Sequence, residues 1–147
     1  MFSEGLGAPA GSALAGSAGD VERARRIKHL FGGGMRQTGI LAAAALHSLD
    51  HHRDRLAEDH AHARAFAERL AEIDAVQIDL ARVQTNIVRF RLASPVAEAV
   101  SEWCAAKGLK ILPVSPYAMR AVFHLNVRRD HMLGAVEIIR DAVSGIA

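Results

Sequence analysis

Arg36 and Arg120 are the side chains in this 147-residue sequence best suited to holding an anion, and each also has a plainer use. Arg36 follows Gly32-Gly33-Gly34-Met35 and precedes Gln37-Thr38 and an apolar segment that reads as a helix. Backbone N–H groups at a helix start, uncrowded by glycine, can approach a phosphate or carboxylate, and a guanidinium adds a two-pronged donor. The same run serves as a flexible turn between helices, since glycine answers a steric need. Arg120 lies on the polar face of an alternating segment, where it can grip a carboxylate or simply stay solvated. His47 and His51 have the i, i+4 spacing that puts two imidazoles on one helical face, in a stretch that also holds His52, His60 and His62. No metalloprotease glutamate and no third ligand at a known offset accompanies them, so no metal is expected. His60 falls on the apolar seam of its helix and reads as a core histidine. Cys104, on an apolar helical face, reads as an inert packing residue. No Ser/His/Asp order and no paired carboxylates suggest nucleophilic or acid–base machinery.

The elements that must position these groups follow from composition and period. Half of the chain is hydrophobic and 23% is charged, the balance of a globular chain with a core. Only 5% is aromatic and the formal charge is +2, which argues against stacked-base recognition or a nucleic-acid footprint. One cysteine excludes a disulfide framework and fits a reducing compartment. The longest apolar stretch, residues 40–46, is far too short to cross a bilayer, and residues 1–18 lack the charged start and apolar run of an export signal. The expectation is a soluble cytoplasmic protein.

Asp20 is the expected cap of a first helix that the triple glycine stops. A second helix over 38–49 is apolar nearly all round and reads as buried. Residues 53–73 form a long amphipathic helix, with Leu56, Ala63, Phe66, Ala67, Leu70 and Ile73 inside and Arg55, Glu58, Asp59, Glu68, Arg69 and Glu72 outside. The period then falls to 2, giving strands over 76–80 and 88–92 with Arg89 and Arg91 on the polar side. Pro95 suits the first turn of a helix that Gly108 closes. Strands over 109–112 and 119–127 follow, the latter with Arg120, Val122, His124 and Asn126 on one face. A last helix from about residue 130 buries Leu133, Val136, Ile139 and Val143. A short strand over 12–15 is the one regular element expected among the early glycines and serines. The order specifies an α+β fold, a small, mostly antiparallel sheet covered by helices.

Four motifs carry a family likeness. Ser3-Glu4-Gly5-Leu6-Gly7-Ala8-Pro9 and Gly32-Gly33-Gly34-Met35-Arg36-Gln37-Thr38-Gly39-Ile40 resemble the threonine aldolase family, one of the β-eliminating lyases of fold type I that use pyridoxal phosphate. Gln84-Thr85-Asn86 and Arg120-Ala121-Val122-Phe123-His124-Leu125 are similar to its C-terminal portion. The likeness implies three regions: residues 1–19 around the lysine position, helices over 20–52 linking large and small domains, and a small α+β domain over 53–147. It implies cleavage of β-hydroxy-α-amino acids such as threonine to glycine and an aldehyde. It also implies Arg36 near the cofactor phosphate, supported by the basic Lys28-His29 before the turn, and Arg120 on the substrate α-carboxylate.

The departure falls on the lysine that the family uses to bond the cofactor aldehyde, because here the residue is Glu4. A carboxylate cannot condense with an aldehyde to an imine. The resemblance further implies that the phosphate loop, the ring-stacking histidine and the aspartate for the pyridine nitrogen lie upstream of residue 1. The expectation is a truncated lyase, catalytically silent alone and not binding pyridoxal phosphate by itself. The alternatives are one half of a split enzyme and a non-catalytic dimerisation module. The expected partner is a second copy or an N-terminal half, with no nucleic acid and no membrane.

Overall fold

A computed structural model describes residues 1–146, and the chain divides into two compact units, Met1–Arg53 and Asp54 onward. In the first unit the opening glycines form a closed loop rather than a strand. Phe2 N donates to the Gly11 carbonyl at 2.9 Å, Ala8 N to that of Phe2 at 2.9 Å, and Gly7 N to that of Glu4 at 2.7 Å. The expected strand over 12–15 is absent because these residues run without a ladder partner. Helix α1 spans Ala18–Leu30 and is capped by Ser17, not Asp20. The Ser17 hydroxyl accepts from Asp20 N at 3.2 Å and donates to the Asp20 carboxylate at 2.6 Å, which leaves Asp20 in the first turn, where the helix dipole favours it. At the other end Gly33 N donates to the Lys28 carbonyl at 2.7 Å. A Cβ on Gly33 would stand 2.6 Å from Lys28 Cγ, and Gly32 has φ +74, so the turn itself demands glycine.

Helix α2 spans Gly39–His51, and its expected burial is not observed. Ile40 is 81% exposed and Leu46 60%, and Ser48, whose hydroxyl donates to the Ala44 carbonyl at 2.8 Å, is the one buried residue. Periodicity reports that a helix lacks a polar face. It says nothing of what lies against it.

The second unit runs α3 (Leu56–Leu70), β1 (Val76–Gln77), β2 (Ile87–Leu92), α4 (Ala97–Ala106), β3 (Leu112–Ser115), β4 (Ala118–Val122) and α5 (Arg129–Ile146). The strands form one antiparallel sheet in the order β1-β2-β4-β3, with α3 packed on β2 and α5, and α4 on α5 and β3. This is the α+β architecture expected. Its core is built from residues such as Phe66, Leu70, Phe90, Val100, Met119 and Ile139, all essentially inaccessible.

Several boundaries moved for local reasons. The strand expected over 76–80 stops at Gln77, because the Asp79 carboxylate accepts from Ala81 N at 3.0 Å and starts a 3-10 turn over Leu80–Arg82. Pro95 lies just outside α4, whose cap is Val96. The strand expected over 109–112 begins only at Leu112, since Leu109 N is used to close α4 on the Cys104 carbonyl at 2.9 Å. Pro113 is then tolerated because β3 is an edge strand. The strand expected over 119–127 ends at Val122, where Phe123 N turns to the Asn86 carbonyl at 2.8 Å. Strand alternation therefore does not put His124 beside Arg120.

Candidate functional site

Glu4 and Arg36 belong to the first unit and Arg120 to the second. Glu4 is exposed on the 2–11 loop, its backbone carbonyl tied to Gly7 N. Arg36 is exposed beside Gln37, which has φ +55, a left-handed conformation uncommon for a residue with a Cβ. Thr38 caps α2 without a side-chain hydrogen bond, so the helix start is left with no side-chain acceptor. The helix start is uncapped by Thr38, and Arg36 stands two residues before that cap in the chain.

Arg120 is half-buried on β4, and its Nε is buried without a hydrogen-bond partner. The ladder sets it directly opposite Arg89 of β2. Facing residues in an antiparallel pair carry their side chains on the same side of the sheet. Burial along β2 alternates, with Val88, Phe90 and Leu92 under the helices and Ile87, Arg89 and Arg91 on the other face. Arg120 thus stands on the sheet face that α3, α4 and α5 do not cover. On that face Arg82, Arg89 and Arg91 line a concavity of about 620 Å³ with Asp79, Gln77 and Ala118. The guanidinium of Arg91 lies 5.6 Å from the Tyr117 ring centre, which orients it. The polar side of β2 was visible as alternation; that it meets Arg120 required the strand register.

The histidines divide differently from expectation. His47 packs on His51 with ring centres 4.4 Å apart and on His52 at 5.3 Å, and His52 Nδ1 lies 2.8 Å from the Leu6 carbonyl oxygen. Among the described residues no group of three or more His, Cys, Asp or Glu side chains is placed to hold a metal ion. His60 is exposed, not a core residue, because α3 is rotated so that Asp59, Ala63 and Phe66 face inward. Asp59, expected on the solvent side, is fully buried, with Arg55 Nη1 3.4 Å from its Oδ1. No periodic rule would have found it, since an acidic residue reads as polar whichever way it points. Cys104 is fully buried as expected, and burial pushes its thiol above the usual range, which suppresses the reactive thiolate.

Two of the motifs meet in space. Asn86 Nδ2 donates to the Phe123 carbonyl at 2.7 Å while Phe123 N donates to the Asn86 carbonyl at 2.8 Å, so the residue closing Gln84-Thr85-Asn86 clips the end of β4 beside the start of β2. Asn86 therefore fixes the register that pairs Arg89 with Arg120.

The sequence profile of the family described as Beta-eliminating lyase matches residues 1–93. The chain is 41% identical over 131 residues to the low specificity L-threonine aldolase of Escherichia coli (strain K12), covering 89% of this chain and 38% of that protein. It is 36% identical over 126 residues to a probable low-specificity L-threonine aldolase 2 of Arabidopsis thaliana, covering 84% and 36%. The chain therefore spans less than two fifths of the length of these relatives. Among solved structures, one from Exiguobacterium sp. 255-15, described as a "putative aromatic amino acid beta-eliminating lyase/threonine aldolase", superposes with a TM-score of 0.73 at 19% identity over 96% of this chain and 43% of that one. Lysine aminotransferase of M. tuberculosis does so at 0.59 and 18%, over 73% and 26%. The structures share the fold; the sequence profile, together with the threonine aldolase relatives, carries the kinship: the chain belongs to the beta-eliminating lyase family.

Proposed function

We propose that the chain is a threonine-aldolase-like lyase segment that does not catalyse on its own. In that reading its family reaction is the pyridoxal-phosphate-dependent cleavage of β-hydroxy-α-amino acids such as threonine to glycine and an aldehyde. The observation that carries the proposal is Glu4. Pyridoxal phosphate needs an amine to bond its aldehyde, and the position that the family likeness gives to lysine holds an exposed carboxylate. A carboxylate also opposes the phosphate of the cofactor by like charge. The residues of the 2–11 loop do not fit a covalently held cofactor. Arg120 keeps the chemistry of a carboxylate clamp, with a buried, unpartnered Nε, and Arg36 that of a phosphate contact beside the uncapped start of α2.

The test is an assay of the intact chain with threonine and added pyridoxal phosphate. No glycine release above the rate of free cofactor is expected. Release that Arg120→Ala abolishes would show that Glu4 is no barrier, and the proposal would fall.

A second reading, a non-catalytic interaction module pairing with another copy of the chain, is favoured by the first unit. α1 contributes no buried residue, and Leu30, Phe31 and Ile40 are each more than 80% exposed. Large apolar side chains left this exposed are the kind of surface that marks an interaction site when they adjoin. Light scattering at micromolar protein is expected to give a mass of at least twice 15.8 kDa. A monomer with a single cooperative melt would dismiss this reading.

A further inference from the structure

We propose that the uncovered face of the sheet binds small anions carrying two or more carboxylate or phosphate groups, with Arg89 supplying the second point of attachment beside Arg120. The inference rests on the clamp role of Arg120 for its first point of attachment and goes beyond it in the number of charges the ligand must bear.

The register puts two guanidinium-bearing residues face to face, Arg89 against Arg120. Cβ atoms of opposed residues stand about 4.5–5.5 Å apart, and like charges so placed are destabilising unless something negative lies between or over them. Arg91 follows on the same side of β2, about 6.8 Å further along the strand. Arg82 reaches the same concavity from the 3-10 turn. Among the described residues none of these four arginines has a carboxylate within 4.0 Å. Asp79 is the one acid lining the concavity, and its Oδ1 already accepts from Ala81 N. A face with four guanidinium groups, one engaged acid and a buried, unpartnered Nε lacks its counter-charge.

The geometry selects the ligand. Guanidinium forks match carboxylate and phosphate edges two bonds at a time, so each arginine defines one anionic group. Arginines rooted about 5–7 Å apart on one sheet face suit the two ends of a short dianion rather than one isolated carboxylate. The concavity of about 620 Å³ on this face, lined by Arg82, Arg89 and Arg91 and not by Arg120, is of small-molecule size. A nucleic-acid strand would need stacking surface, and Tyr117 beside Arg91 is a single ring.

The experiment is isothermal titration of the intact chain with acetate, succinate and inorganic pyrophosphate at ionic strength held constant with sodium chloride. Succinate or pyrophosphate is expected to bind at least about ten-fold more tightly than acetate, and the stronger of the two identifies the anionic group. Arg89→Gln should abolish that excess while leaving acetate binding and the melting temperature no lower, because it also removes a like-charge opposition. Arg89→Lys should restore only part of it, keeping the charge but not the fork. Arg140→Gln, on α5 and paired with Glu137, is the unaffected control. Equal affinity for mono- and dianions, an undiminished preference in Arg89→Gln, or tighter binding of a single-stranded oligonucleotide than of pyrophosphate would each overturn the proposal. Dianion binding that Arg120→Gln leaves undiminished while Arg89→Gln weakens it would instead sink the clamp role of Arg120 and leave Arg89 standing.

Discussion

Phe66→Ala is expected to destabilise the second unit by about 3–5 kcal/mol, the usual cost of emptying an aromatic site in a close-packed core. Phe66 is 1% exposed on α3, and its ring meets that of Phe123 edge-on with centres 5.3 Å apart. Phe123 follows β4 directly and is held by the double hydrogen bond to Asn86. The substitution thus removes transfer energy, leaves a void and loosens the contact between α3 and the end of β4. Domains of this size are stable by only about 5–15 kcal/mol, so roughly a fifth or more of the margin goes. Urea unfolding of Phe66→Ala and Phe66→Leu would read it. A loss below about 1 kcal/mol for the alanine variant would mean that the ring is not packed as described.

The second large effect is electrostatic and asymmetric. Asp59 has no solvent exposure, neither carboxylate oxygen has a hydrogen bond, and the Arg55 guanidinium at 3.4 Å is its ion-pair partner. Arg55→Met strands a charge away from water, which costs about 3–5 kcal/mol. Arg55→Met combined with Asp59→Leu removes both charges and should recover most of that, because a buried pair is often no more stabilising than apolar side chains of similar size. The double-mutant cycle reads the coupling directly, as neighbouring sites do not add. If the single and double variants were equally unstable, packing and not charge would govern the site. The pairing of Arg55 with Glu58 at 3.2 Å on the exposed side contributes far less, since solvent screens it.

The proposed carboxylate clamp and the proposed dianion face would share a structural origin. Asn86 clips β2 to β4, the clip sets the register, and the register opposes Arg89 to Arg120. A motif residue with no chemistry of its own can therefore matter for what it aligns. The first unit offers the contrasting case. Its glycine turn is demanded by the close approach of Gly33 to Lys28, so that motif has a steric reason independent of any anion near Arg36.

Local pattern alone settled the α+β order of elements, the identity of most of the core and the residue type at position 4. These depend on period, on turn chemistry and on one residue type, all of which are written along the chain. Asp59 inside, His60 outside, α2 exposed and Arg89 beside Arg120 were decided by the fold. Each depends on what another segment presents at that point in space, through helix rotation, strand register or whether any segment packs there. A sequence records which side chains share a face, and only packing determines what that face meets.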